Sequence, residues 1–330
     1  MQTTKTGGSR FLIAGFLVAA IAGVAATPVL AQQNYPSKPI RIVTPYAPGG
    51  STSVASRWIG EKFTEAWGQQ VIVDARGGGN TTIGTDIIAK SPPDGYNIIF
   101  IAMTHVVVPQ LMAAPYDPIK DFTPIATFDL AEELLVVYPG VPVNNLKEYI
   151  ALAKTKPDAV NFASAGSGGA NHLAGELFAS MAGVKMLHIP YKGSALVITD
   201  LMGGQVQSSF MVPINAITQV KAGKLRAIAV SGSKRLSALP QVPTFTEAGL
   251  PNYDAGFWRG LLAPAGTPKA IVDKLSAEVG RIVAMPDIRE KLQSQGQEPF
   301  YNAPDQFAEI MKADYARYGR LIKTANIKIE

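Results

Sequence analysis

Short runs of β-branched and apolar residues alternate along this chain with longer amphipathic stretches, and this alternation limits the fold more than any other feature. Residues 40–43 predict a first strand, and residues 53–67 predict a helix. The residues available for the inner face of this helix are Val54, Ile59, Phe63 and Trp67. Repeated strand–helix units are typical of proteins built on parallel sheets. The sequence therefore predicts the α/β class.

The same pattern continues to the end of the chain. Its 330 residues support two domains of ordinary size. Residues 236–251 contain three prolines and predict irregular structure. Further strands are predicted at residues 71–73, 98–103, 134–137, 160–163, 187–189, 210–212, 227–230 and 258–263, and further helices at residues 83–89, 172–181, 268–283 and 305–322.

The N-terminus has the layout of a secretory signal peptide. Lys5 and Arg10 precede an apolar run at residues 11–26, and small residues end at Ala31. A membrane anchor is the alternative, but the run is short for a bilayer span and Pro28 follows it. We therefore expect residues 1–31 to be removed after Ala31 and the remaining chain to be exported as a soluble protein.

Composition excludes several classes of function. The chain has no cysteine, which rules out disulfides and thiolate metal sites. Its formal charge is +5, but the basic residues are scattered, so nucleic acid is not an expected partner. His105, His172 and His188 share no spacing typical of metal ligands. No metal and no cofactor are expected.

Two glycine-rich loops, each between a strand and a helix, are the main candidates for ligand binding. Glycines let the backbone approach a ligand closely, and the unpaired N–H groups at a helix start favour an anion. Together they suggest two opposing walls that offer backbone donors to a negative group. The first loop comprises Tyr46, Ala47, Pro48, Gly49, Gly50, Ser51, Thr52 and Ser53, and the second comprises Ala165, Gly166, Ser167, Gly168, Gly169, Asn171 and His172.

Neither loop matches a nucleotide or nucleophile motif. A dinucleotide fingerprint would require glycine at Asn171, and no phosphate-binding lysine follows either loop. Ser167 lacks the first glycine of a nucleophile elbow. Residues 77–79, three glycines, are most simply a turn. No acid–base pair is evident, so we do not expect an enzyme.

Three further residues are candidates on weaker grounds. Thr104 and His105 follow the third predicted strand, where ligands gather in open α/β sheets. His105 could donate to a carboxylate or serve a structural role, whereas His188 lies in an apolar strand and suggests core packing. Arg259 follows Trp258, and arginine pairs carboxylates through two hydrogen bonds, although many arginines are simply exposed.

Seven stretches, taken together, resemble one known family. They lie at residues 35–40, 45–50, 93–96, 164–173, 189–193, 221–226 and 263–268. In this order they are similar to the solute-binding proteins of tripartite tricarboxylate transporters, often called the Bug family. The stretches cover nearly all of the chain after the predicted signal.

The resemblance implies a two-domain periplasmic binding-protein clamp of the type II-like class, with the ligand cleft between the domains. The first domain would comprise residues 32–128 and 233–330, and the second residues 129–232. It also implies a periplasmic location, binding of a ligand carboxylate by the two glycine loops, and delivery of the ligand to a two-component membrane permease. We expect the protein to be a monomer.

Two departures from the family pattern suggest the type of ligand. Ser53 and Met211 stand where the family usually has aspartate. If both face the ligand, the cleft has no partner for an ammonium group, which favours a dicarboxylate with its second carboxylate near Arg259. Met211 would leave room for an aromatic body such as that of terephthalate. A sensor partner that presents its ligand to a receptor kinase and, less well supported, a cleft enzyme acting on an acidic substrate are the alternatives.

Overall fold

Two β-sheets organise the chain in the computed structural model, which describes residues 1–4, 35–46, 48–155 and 160–327. The strands and helices named below all lie within residues 38–330. The predicted signal peptide falls mainly on residues outside the described part, and so does its cleavage after Ala31. Among the described residues no helix is long and apolar enough to cross a bilayer.

Strands and helices alternate over much of the chain, as the sequence predicts. The strands are β1 Ile40–Thr44, β2 Val71–Ala75, β3 Asn97–Ala102, β4 Phe122–Ala131, β5 Leu134–Val137, β6 Asn161–Ser164, β7 Leu187–Pro190, β8 Ser208–Met211, β9 Arg226–Val230, β10 Phe257–Pro264 and β11 Gln297–Pro299. The helices are α1 Ser51–Trp67, α2 Thr82–Ala89, α3 Thr104–Leu111, α4 Leu146–Thr155, α5 Ala170–Ala182, α6 Ser194–Met202, α7 Pro213–Lys221, α8 Lys269–Ala284, α9 Pro286–Ser294 and α10 Pro304–Thr324.

The first sheet has six strands in the order β11-β4-β10-β3-β1-β2. Strand β1 pairs in parallel with β2 and with β3, while β10 runs antiparallel to β3 and β4. The interior of β3 is fully buried, as expected for a strand covered on both faces. Helix α1 buries Ala55, Ile59 and Phe63, which recur every four residues, and it ends at Gly68 in the left-handed conformation.

The second sheet has five strands in the order β7-β6-β8-β5-β9. Strand β6 pairs in parallel with β7 and β8. Strand β5 shows how this sheet separates two cores, because its residues alternate between faces. Leu135 and Val137 pack with Tyr149 and Phe178, whereas Leu134 and Val136 pack with Val197, Leu201 and Met211. This two-sheet α/β architecture agrees with the predicted fold class.

The chain crosses between the sheets at two points. The first crossing is Glu132–Glu133, between β4 and β5, and the return follows β9. Strand β4 continues to Ala131, past the predicted domain boundary at residues 128 and 129, so this boundary stays a prediction together with the return boundary at 232 and 233. Residues 236–251 contain no helix or extended strand, as predicted.

Candidate functional site

A cleft of about 650 Å³ lies where the carboxyl ends of parallel strands from both sheets meet. Ligands bind at such strand ends in open α/β sheets, and small-molecule sites have volumes of roughly 300–1,000 Å³. The residues after β1, β2 and β3 form one wall, and those after β6 and β7 form the other. The lining consists of Pro45, Tyr46, residues 77–81, Thr104, Val108, residues 165–169, Asn171 and Lys192.

Tyr46 and Thr104 form a hydrogen-bonded pair at the first wall. The Tyr46 hydroxyl lies 2.7 Å from Thr104 Oγ1 and accepts from the Ala102 backbone N–H at 3.1 Å. Burial raises the pKa of Tyr46, so the phenol stays neutral near pH 7. These contacts join the loop after β1 to the start of α3. Both residues are predicted site residues that the structure places in the cleft.

The segment 77–81 after β2 also lines the cleft, although the sequence suggested only a turn. Asn80 has φ 50° and Thr81 has φ 80°, which are unfavourable for residues with a side chain. Such backbone strain concentrates at functional sites. Three consecutive glycines permit the turn itself, but the position of the segment at the cleft depends on the pairing of β1 with β2. Sequence analysis therefore missed this segment of the first wall.

The second glycine loop lines the cleft as predicted, but the N–H groups of all three of its glycines already have acceptors. Gly166 N donates to Ser164 Oγ at 3.2 Å, Gly168 N to His172 Nδ1 at 3.0 Å and Gly169 N to Gly166 O at 3.3 Å. Within the described chain, the N–H groups of Ser167, Ala170 and Asn171 have no acceptor. The last two belong to the first turn of α5, which favours an anion. The free donors are therefore the neighbours of the glycines.

His172 holds this loop rather than facing the cleft. Its ring is 4% exposed and stacks on His188, with ring centroids 3.7 Å apart. Because its Nδ1 accepts the Gly168 N–H, the ring fixes the loop conformation that exposes the Ser167 N–H. His188 Nε2 in turn lies 2.6 Å from Ser164 Oγ. His172 is a site residue only through its effect on the loop.

Replacing His172 by phenylalanine should weaken carboxylate binding about tenfold. The variant keeps a ring for the stack but leaves the buried Gly168 N–H without an acceptor, at a cost of about 1–3 kcal/mol. Calorimetric titration of the protein with adipate measures the effect. The control is Glu176→Gln, which removes the carboxylate 3.6 Å from His172 Nε2 and leaves the Gly168 contact intact. Equal affinities for wild type and His172→Phe would contradict the assigned role.

Most of the first glycine loop is not brought to the cleft. Pro45 and Tyr46 line it, but the described residues from Pro48 to Ser53 do not, and Ala47 lies outside the described residues. Ser53 is 1% exposed and accepts a hydrogen bond from Arg57 at 3.3 Å. The prediction that Ser53 faces the ligand is not supported, because the first turn of α1 packs inward.

His105 is a core residue rather than a cleft residue. Its ring is fully buried, meets Phe122 edge-on and stacks with Tyr116. Its Nε2 lies 2.8 Å from the Pro118 carbonyl oxygen. Burial lowers the pKa of His105 to about 4, so the ring is neutral at physiological pH. Of the two roles considered for His105, the structure favours the structural one.

Arg259 and Met211 also do not line the cleft. Arg259 is 1% exposed and donates from Nε and Nη2 to the two carboxylate oxygens of Asp129, at 2.8 and 2.5 Å. Its Nη2 also donates to Gln297 Oε1 at 2.7 Å. Met211 is 2% exposed and packs in one core of the second sheet. Both side chains are buried and neither lines the cleft, so the structure gives no support to the prediction that they contact the ligand.

The described lining of the cleft carries a single formal charge, which is positive. Among its described lining residues there is no aspartate or glutamate, and Lys192 alone carries a formal charge. No group of three or more potential metal-ligating side chains occurs in the described part of the chain. The cleft therefore offers neutral hydrogen-bond donors and one cation, an arrangement suited to an anionic ligand.

Comparison with known proteins adds independent information. Residues 55–327 match the model of the tripartite tricarboxylate transporter family receptor, TctC. The periplasmic binding protein BugD superposes with a TM-score of 0.77 at 34% identity, covering 90% of this chain and 100% of that chain. The R. palustris protein Rpa4515 with adipate superposes with a TM-score of 0.80 at 32% identity, again covering 90% and 100%. MatC (Rpa3494) from Rhodopseudomonas palustris with bound malate gives 0.76 at 29% identity, covering 87% and 100%.

Proposed function

Because the chain belongs to the receptor family of tripartite tricarboxylate transporters, we propose that it captures a small dicarboxylate in the cleft and delivers it to the two-component membrane permease of such a transporter. Family and structural neighbours make it a periplasmic solute-binding protein and not an enzyme. The family, the binding-protein fold and the absence of enzymatic function predicted from the sequence are thereby confirmed.

The observation that carries the proposal is the cleft lining. A carboxylate can accept from the N–H groups of the lining residues Ser167 and Asn171, whereas no acidic side chain repels it among the described lining residues. Hydrogen bonds to charged groups are worth about 1.5–3 kcal/mol each. The rest of the lining, with Pro45, Tyr46 and Val108, can cover an apolar carbon chain. The cleft thus suits an acid with a short apolar body.

Similar proteins support a ligand with two carboxyl groups. One neighbour binds adipate and another binds malate, both of which are dicarboxylates. An aromatic dicarboxylate such as terephthalate remains within our proposal. The sequence argument for an aromatic ligand rested on Met211, which is buried in the core. Binding measurements therefore have to decide between aromatic and aliphatic dicarboxylates.

Amino acids should bind at least about tenfold more weakly than dicarboxylates of similar length. A buried ammonium needs an anionic partner, and the described lining supplies none. Calorimetric titration of the purified protein with adipate, malate, terephthalate, glutamate and hexanoate tests this order. Tight binding of glutamate, with weak binding of every dicarboxylate, would contradict the proposal.

Delivery to a permease requires a separate experiment. We propose that the protein acts as a monomer, which light scattering in the presence and absence of ligand can test. Uptake of the labelled ligand by cells that contain the two membrane components should depend on this chain. Uptake that is unchanged when the chain is deleted would instead favour a sensory role.

A further inference from the structure

We propose that Lys192 selects ligands with two negative charges by binding the second carboxylate in the cleft. This inference rests on the proposed function and assigns its specificity to one residue. Among the described lining residues Lys192 alone is charged, and it makes no ion pair with another described residue. Its ammonium is therefore available to a ligand.

The backbone holds Lys192 beside the second glycine loop. Tyr191 N donates to Ser164 O at 2.9 Å, and Gly193 N donates to Ala165 O at 3.0 Å. The Tyr191 hydroxyl further donates to Asp200 at 2.7 Å. These hydrogen bonds fix the main chain on both sides of Lys192. Its side chain is exposed, and its flexible four-carbon stem lets the ammonium group adjust to a ligand. The lysine is thus placed next to the donors that suit the first carboxylate.

No other described residue that lines the cleft carries a positive charge. Arg259, which sequence analysis favoured, is buried and bound to Asp129. A helix N-terminus carries only about half a unit of positive charge, so the start of α5 cannot balance a dianion. Placing a second carboxylate in a partly desolvated cleft is costly without a counter-charge. Lys192 supplies this charge and needs no rearrangement of the fold.

The test compares matched acids on matched variants. Titrations with adipate against hexanoate, and terephthalate against benzoate, measure the contribution of the second carboxylate. Lys192→Gln should weaken the diacid of a pair about tenfold and its monoacid less than about twofold. Lys192→Arg should retain the preference. Lys224→Gln is the control, because it removes an exposed lysine charge that does not line the cleft. It should change the affinity for neither the diacid nor the monoacid.

Each outcome separates this inference from the proposed function. If wild-type protein binds the diacid and Lys192→Gln weakens diacid and monoacid equally, or weakens neither, the role of Lys192 is overturned and the proposed function stands. If the wild type binds none of the four acids, both are overturned. A diacid preference that falls as salt rises in the wild type, but not in Lys192→Gln, supports the charge pairing.

Discussion

Replacing Arg259 by alanine is expected to lower the free energy of unfolding by about 3–5 kcal/mol, because it leaves the Asp129 carboxylate buried without its cation. Asp129 is fully buried, and both of its oxygens accept from the guanidinium. The two residues face each other on adjacent strands, β4 and β10, so the pair also joins the centre of the first sheet. Urea denaturation at pH 7 measures the loss.

The double variant Arg259→Met with Asp129→Leu is the control for this prediction. Replacing both members of a buried ion pair by apolar residues of similar size is often neutral or stabilising. The double variant should therefore recover most of the stability lost in Arg259→Ala. A loss of less than about 1 kcal/mol in the single variant, accompanied by weaker diacid binding, would contradict the structural role and return Arg259 to the cleft.

The same pair explains why strand β4 could not be found from the sequence. Pro124 and Asp129 both disfavour a strand interior, and neither has a local signal that compensates. Pro124 is tolerated beside a register shift in the pairing with β10, between Leu261 and Leu262. Asp129 is tolerated because Arg259, far along the chain, neutralises it. Long-range contacts overrode local propensity here.

Only part of the cleft lining could be predicted from the sequence, because the rest depends on long-range contacts. The second glycine loop has a strand before it and a helix after it, so its sequence alone placed it at a strand end. The segment 77–81 needed the tertiary approach of α2 to β1, where a side chain on Gly84 would lie 2.7 Å from Arg76 O and 2.9 Å from Pro45 Cβ. Lys192 lies in one of the seven family-like stretches, at residues 189–193, but nothing in its local sequence marks it as a ligand contact. His105 follows a strand as Thr104 does, but chain order cannot show which of two neighbours turns inward.

Two adjacent carboxyl groups at the crossing between the sheets give the second large prediction. Glu133 is fully buried, and Asn171 Nδ2 donates to both of its oxygens at 3.1 Å. Ser231 Oγ donates to Glu132 Oε2 at 2.5 Å and accepts from Glu133 N at 2.9 Å. Neither glutamate forms an ion pair with a described basic side chain. Burial raises the pKa of Glu133 to about 8 and that of Glu132 to about 7.

Glu133→Gln is expected to stabilise the protein at pH 9 by an amount on the order of 3 kcal/mol and to have little effect at pH 5. A carboxyl whose pKa is higher in the folded state than in the unfolded state, near 4.5, holds its proton longer when folded. Its contribution to stability is fully present below pH of about 4.5 and falls as the pH rises towards 8. Glutamine stays neutral throughout and can still accept from Asn171.

Urea unfolding of wild type and variant at pH 5, 7 and 9 checks this dependence. Glu132→Gln should show a smaller effect that is complete near pH 7, because its pKa is raised less. Glu309, whose side chain is 74% exposed, provides the matched control. The free energy of unfolding of Glu309→Gln should change with pH in the same way as that of the wild type. If Glu133→Gln also runs parallel, the Glu133 carboxyl is ionised in the folded protein, and its burial at the crossing is not what limits stability at high pH.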